Sequence, residues 1–182
     1  MSFLDEMKVI FLDIDGVLNH ELWFKRSGER PKSESRKDFD LEMIDPQSVN
    51  HLNTIIEKTG AKVVISSLQR KHFILSGRKV DSVEYLQELL DEKGFIGEII
   101  GKTNYIFYDK INKLEYTIPR GYRVKDWFNR NKYMLEIEEP FVKYVIVDSD
   151  ILDWGIENYF RTDPYCGITA NVAYRIVNFL NK

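Results

Sequence analysis

An open α/β sheet with helices on both faces is predicted by three observations in this 182-residue sequence. Short apolar, β-branched runs alternate with segments of helical period, the pattern of successive strand–helix units. The runs are apolar on both faces, as strands inside a parallel sheet are. Three of them end in acidic or hydroxyl residues, and in such sheets functional groups gather beyond the carboxyl ends of the strands.

The first strand is expected over Lys8 to Ile14 and runs directly into Asp13, Asp15 and Gly16. Glu21 to Asp40 follows, carrying Lys25, Arg26, Arg30, Lys32, Arg36 and Lys37 with Gly28 and Pro31 as breakers. It reads as a solvated loop, or as a basic surface where a polyanion backbone could lie. Val49, Leu52, Ile55 and Ile56 mark a helix behind Asp45-Pro46, a cap followed by a first-turn proline. The second strand, Ala61 to Ser66, ends in Ser66 and Ser67. Val83, Leu86, Leu89 and Leu90 space a second helix that closes before Gly94, and Glu98 to Ile100 is a weaker strand. Tyr105 to Pro119 alternates around Lys110 to Lys113 in the manner of a hairpin. Val124, Trp127 and Phe128 suggest a third helix. Lys143 to Asp148 forms the late strand, ending in Asp148 and Asp150, and Val172, Ile176, Val177 and Leu180 mark the C-terminal helix.

The length suits one domain over residues 1–182, with short insertions at about 20–44 and 102–119. A formal net charge of -3 gives no global attraction to polyanions, so any such contact must be local. The lone Cys166 cannot form an intrachain disulfide, and no run reaches membrane-spanning length. A cytoplasmic protein without a membrane partner is expected.

Asp is depleted in strands, and a buried carboxylate carries a large desolvation cost. Asp13 and Asp15, two apart, start on one side of the strand until the turn at Gly16 redirects the second, and such close like charges oppose each other's ionisation unless a cation is near. Mg²⁺ answers this need, since it takes one or two carboxylates, waters and phosphate oxygens; Asp148 on another strand end could join Asp13 and Asp15 as a ligand. Asp13 can then attack phosphorus, and Asp15 can protonate the leaving alkoxide and later deprotonate water. The barrier to phosphate monoester hydrolysis is so high that hydroxyls, turn N–H groups and a basic side chain must also meet the transferring charge. Gly97 to Thr103 misses a phosphate-cradling loop by one residue, and the Asp-Ile-Asp-Gly run lacks the later ligands of a calcium loop. His20, His51 and His72 have no ligand spacing.

LDIDGVLN resembles the first signature of the haloacid dehalogenase (HAD) superfamily, VVISS followed by Arg70 its second, and VIVDSD its fourth. The order of DGVLN, GAKVVISSLQR, GFIGEIIGKT, RGYRVKDWF, YVIVDSD and RTDPYCGIT is similar to the small HAD phosphatase domains of nucleic acid repair proteins. That likeness implies a HAD-like Rossmannoid three-layer sandwich with a mainly parallel sheet and minimal or no cap. It implies Asp13 as nucleophile, Asp15 as acid/base, Ser66 on the phosphoryl group and Asp148 on the metal, with Gly16, Ser67 and Arg70 contacting substrate. The third signature is usually Lys; here Arg120 in RGYRVKDWF takes its place at a helix start, with Lys125, Lys102 and Arg123 as other basic candidates. Leu68-Gln69 and Ser149 depart from the pattern. The intervals that carry cap domains in larger relatives are short here, so an open site is expected, able to admit a nucleic acid end or a nucleotide. A phosphatase for a small metabolite and a catalytically inactive binding module are the competing classes.

Overall fold

The computed structural model of the chain describes residues 6–27, 35–66, 72–75, 78–104, 106–109, 114–117, 119–131, 142–150 and 158–182. Its centre is a five-stranded, wholly parallel sheet. The strands are β1 (Met7–Leu12), β2 (Lys62–Ile65), β5 (Ile99–Lys102), β8 (Val142–Asp148) and β9 (Tyr159–Arg161), in the spatial order β5-β2-β1-β8-β9. The most apolar run, β1, takes the central place, flanked by β2 with Leu12 opposite Ile65 and by β8 with Leu12 opposite Val147. A parallel sheet needs cover on both faces, and alternate residues of β1 divide between two cores. Ile10 and Leu12 pack with α3 (Pro46–Thr59), α4 (Ser82–Glu92) and α6 (Ala170–Leu180), while Val9 and Phe11 pack with α5 (Arg120–Asn131). The result is the three-layer sandwich expected from the alternation of strands and helices.

Several helix boundaries have a local cause. Asp45 caps α3 by accepting from the N–H groups of Gln47 and Ser48, Pro46 supplies a preset first turn, and Gly60 ends the helix in the left-handed region with φ 67°. Thr169 caps α6 and Asp81 caps α4 in the same manner. On the opposite face Trp127, 1% exposed, meets Phe11 and Phe128 edge-on with centroids 5.5 and 5.3 Å away. This aromatic cluster anchors α5 to the middle of the sheet.

Three stretches depart from expectation. Glu21 to Asp40 is not simply a loop: it holds α1 (Glu21–Arg26) and most of α2 (Arg36–Met43). These short helices rest on tertiary contacts that composition does not reveal. The Trp23 indole N–H donates to the Glu42 carbonyl (2.9 Å), the Tyr85 hydroxyl donates to Asp40 (2.8 Å), and Lys37 bridges Glu88 and Glu92. Between β2 and α4 lies an antiparallel hairpin, β3 (His72–Leu75) with β4 (Arg78–Asp81), where no strand was expected. β9 was likewise not anticipated; three residues are too few to show a period. The expected second hairpin is present as β6 (Ile106–Asp109) and β7 (Leu114–Thr117), with Ile106 opposite Thr117. No helix among the described residues is long and apolar enough to cross a membrane.

Candidate active site

The parallel ladder continues one residue past the strands, and there the residue type changes abruptly from apolar to polar. Ser66 N–H donates to the Leu12 carbonyl (2.8 Å), Asp13 N–H to Val147 (3.0 Å), Thr103 N–H to Ile65 (2.9 Å) and Thr162 N–H to Asp148 (2.9 Å). Asp13, Ser66 and Asp148 are therefore side by side on adjacent strands, about 4.8 Å apart from strand to strand. All three are buried, at 4%, 1% and 0% exposure. By strand alternation they continue the face that carries Val9, Phe11, Val64 and Ile146, the face covered by α5. The Ser66 hydroxyl is buried with no hydrogen-bond partner among the described residues. An orphaned hydroxyl between buried groups is expensive unless something binds there.

Strand β1 ends at Leu12, two residues earlier than expected, and this changes the relation of the two acids. Asp13 is buried whereas Asp15 lies in the following turn and is exposed. They do not form a matched pair on one strand face. Asn19 holds Asp15 by donating from Nδ2 to Oδ1 (2.7 Å), and accepts the Gly16 N–H through Oδ1 (3.1 Å). Ser149 Oγ–H donates to the Asp15 carbonyl (3.0 Å), and Thr162 Oγ1–H to the Gly16 carbonyl (2.8 Å). The turn after β1 is thus fastened to the ends of β8 and β9. Gly16 has φ 72°, and a Cβ there would lie 2.5 Å from Ser149 Oγ and 2.6 Å from Ser149 Cβ. Only glycine meets both the backbone angle and this approach.

Among the described residues no three His, Cys, Asp or Glu side chains gather closely enough to hold a metal ion. Asp13, Asp15 and Asp148 therefore form no preformed cage of three carboxylates. Asp13 and Asp148 alone match the one or two carboxylates, completed by water and phosphate oxygens, that Mg²⁺ accepts. The donor chemistry, two buried hard oxygen groups beside an unpartnered hydroxyl, fits that ion.

The basic candidates separate clearly. Lys102 donates to Asp81 (2.7 Å) and to Ser82 Oγ (2.5 Å), which ties β5 to the start of α4. Burial opposes ionisation of Asp81, but bonds from Lys102 and the Val83 N–H outweigh it and hold its carboxyl below the usual carboxylate range. Lys125 is exposed. Arg123, 4% exposed, is the one buried Lys or Arg among the described residues, and it lies on the helix face of Trp127, one turn away. Arg120 opens α5, and its side chain is outside the described residues, as are Ser67 and Arg70. Sequence reasoning did not find Asn19, Ser149 or Thr162 as supports of the turn. Asn19, four residues beyond Asp15, carried a local signal as a turn residue; the other two carried none, because their partners are more than a hundred positions away.

Behind this turn, buried His20 accepts the Trp23 N–H at Nδ1 (3.2 Å), which places the neutral ring's proton on Nε2, facing Asp45 Oδ2 at 2.9 Å. Burial opposes ionisation of Asp45, but bonds from His20, the Gln47 N–H and Ser48 prevail and lower its pKa. A carboxyl whose folded pKa is depressed stabilises the fold above its unfolded pKa, about 3.9, and the contribution disappears as pH falls through the lower folded value. Asp45→Asn is expected to lower the urea midpoint at neutral pH, and the gap from wild type should narrow below about pH 4. A gap that stays constant into acid would refute the ionic contribution.

A family model described as "HAD domain in Swiss Army Knife RNA repair proteins" matches residues 9–173. No curated protein and no solved structure matches the chain.

Proposed function

Since the chain belongs to the family of HAD domains found in Swiss Army Knife RNA repair proteins, and the family points to a phosphatase-type hydrolase, we propose that it hydrolyses phosphomonoesters at nucleic acid ends through an aspartyl-phosphate intermediate. The observation that carries this reading is the row of buried Asp13, Ser66 and Asp148 on adjacent strand ends, with the Ser66 hydroxyl left unpartnered.

In the first step a carboxylate oxygen of Asp13 attacks phosphorus, the ester P–O bond breaks, and the departing alkoxide takes a proton from Asp15. In the second, Asp15 removes a proton from water, whose oxygen attacks phosphorus and releases inorganic phosphate, and Asp13 returns to its carboxylate. The division of labour agrees with the two environments: the nucleophile is buried and fixed by the sheet, while the proton carrier stands exposed on a braced turn. Ser66 donates to a phosphoryl oxygen. The first turn of α5, with Arg120 and Arg123, supplies positive charge and a helix N-terminus toward phosphate. Asp13 and Asp148 would hold Mg²⁺, which when bound neutralises charge on the transferring group.

The test is a panel of p-nitrophenyl phosphate, nucleotides and terminally phosphorylated oligonucleotides, each with Mg²⁺ or with chelator. The expected result is Mg²⁺-dependent turnover that chelator abolishes, with oligonucleotides preferred. Turnover confined to small phosphates would move the assignment to a metabolite phosphatase. Inactivity on every substrate would favour a binding module.

A further inference from the structure

We infer that Arg161, Tyr165 and Lys25 form a binding rim beside the row of Asp13, Ser66 and Asp148, on which the last base of a single-stranded nucleic acid stacks while its phosphodiesters meet the two cations. The inference rests on the reading of that row as a phosphatase site and names the feature that selects a nucleic acid there.

Tyr165 is 44% exposed on the turn formed by residues 163–167, closed by the Gly167 N–H to the Asp163 carbonyl (2.8 Å). The backbone of this turn is held by several hydrogen bonds. The Tyr165 N–H donates to Asp163 Oδ1 (2.9 Å), and the Tyr165 carbonyl accepts the Leu22 N–H of α1 (2.8 Å). The Pro164 carbonyl accepts the Glu21 N–H (3.3 Å), and the Val17 carbonyl accepts the Ile168 N–H (3.0 Å). The turn also lies against the catalytic one: a Cβ on Gly16 would come within 3.2 Å of Pro164 Cβ. An aromatic so held loses little freedom when a ring stacks on it.

Two cations extend this platform. Lys25 Nζ stands over one face of the Tyr165 ring, 4.7 Å from its centroid, and 3.7 Å from Glu21 Oε2 in an exposed pair, and Arg161, opposite Asp148 in the β8–β9 register, donates from Nε to the Ser149 carbonyl (3.2 Å). Arg161 is itself exposed, which leaves guanidinium donors at the surface on the strand next to Asp148. Arg161 thus neighbours Asp148 across the sheet, and Lys25 lies over one face of the Tyr165 ring. A backbone-tracking charge with an interleaved stacking surface is how single strands are held irrespective of sequence. A free sugar phosphate offers neither a base for the ring nor a second phosphate for Lys25. An unstacked terminal nucleotide offers both.

The test measures binding of a short single-stranded oligonucleotide with a terminal phosphate to the Asp13→Asn protein in chelator, by fluorescence anisotropy. Adding Tyr165→Ala is expected to weaken binding roughly tenfold, and Tyr165→Trp to retain it. An oligonucleotide whose terminal nucleotide lacks its base should show no loss with Tyr165→Ala. Lys25→Gln and Arg161→Gln should each reduce the slope of log affinity against log salt by about one. Equal loss on base-bearing and abasic strands, unchanged affinity with Tyr165→Ala, or no binding by the parent would overturn the rim. None of these depends on turnover, so the phosphatase reading stands or falls separately on the p-nitrophenyl phosphate assay with Tyr165 intact.

Discussion

Asp13→Asn is expected to lower turnover of p-nitrophenyl phosphate at least about 10³-fold, a loss of about 4 kcal/mol of transition-state stabilisation. The amide preserves the size of the side chain but removes the charged oxygen that attacks phosphorus. Because Asp13 is held by its N–H to the Val147 carbonyl, the backbone that positions it is unaffected by the change. Near-UV circular dichroism should therefore show a folded protein. The covalent step gives a second readout. Acid-quenched wild type exposed to radiolabelled phosphomonoester should carry label that hydroxylamine removes, and Asp13→Asn should carry none. A variant with turnover within threefold of wild type would end the assignment of Asp13 as nucleophile.

The second large effect is expected at Gly16. Alanine there must adopt φ 72° and place a Cβ within 2.6 Å of Ser149 Cβ and 2.5 Å of its Oγ. The backbone angle alone costs on the order of 1–3 kcal/mol. Relief of the contact requires that the turn after β1 and the end of β8 move apart. That movement displaces Asp15, whose carbonyl is held by Ser149, and a shift near 1 Å can reduce rate about 10²-fold. Gly16→Ala should thus lose stability by about 1–3 kcal/mol in urea and lose activity about 10²-fold. The double variant Gly16→Ala with Ser149→Gly separates the two causes. It should recover part of the stability, since the contact is gone, while the φ penalty remains. Strictly additive losses would show that the approach to Ser149 is not what demands glycine at this position.

How much of this was legible in the sequence follows from the range of the forces involved. The strands β1, β2 and β8 were readable because burial on both faces of a parallel sheet demands uninterrupted apolar runs, and VIFL, KVVI and YVIV supply them. The polar residues that close those runs, Asp13, Ser66 and Asp148, stand out for the same reason: they end an apolar run where nothing local requires a polar group. The helices α3, α4, α5 and α6 announced themselves by period, and α3 also by its Asp45-Pro46 start. By contrast α1 and α2 are short and polar, so their stability lies in Trp23 on Glu42, Tyr85 on Asp40 and Lys37 on α4 rather than in their own composition.

Sequence alone determined the layered α/β architecture and the acidic and hydroxyl ends of its central strands, because periodicity and residue polarity act over a few neighbouring positions. Tertiary structure alone decided that Asp13 is buried while Asp15 is exposed, that Lys102 is bound to Asp81 and Ser82 while Arg123 is buried, and that Arg161 stands opposite Asp148. Each of those outcomes depends on register and on contacts between residues far apart in the chain, where side-chain environment is set by the packing of whole elements.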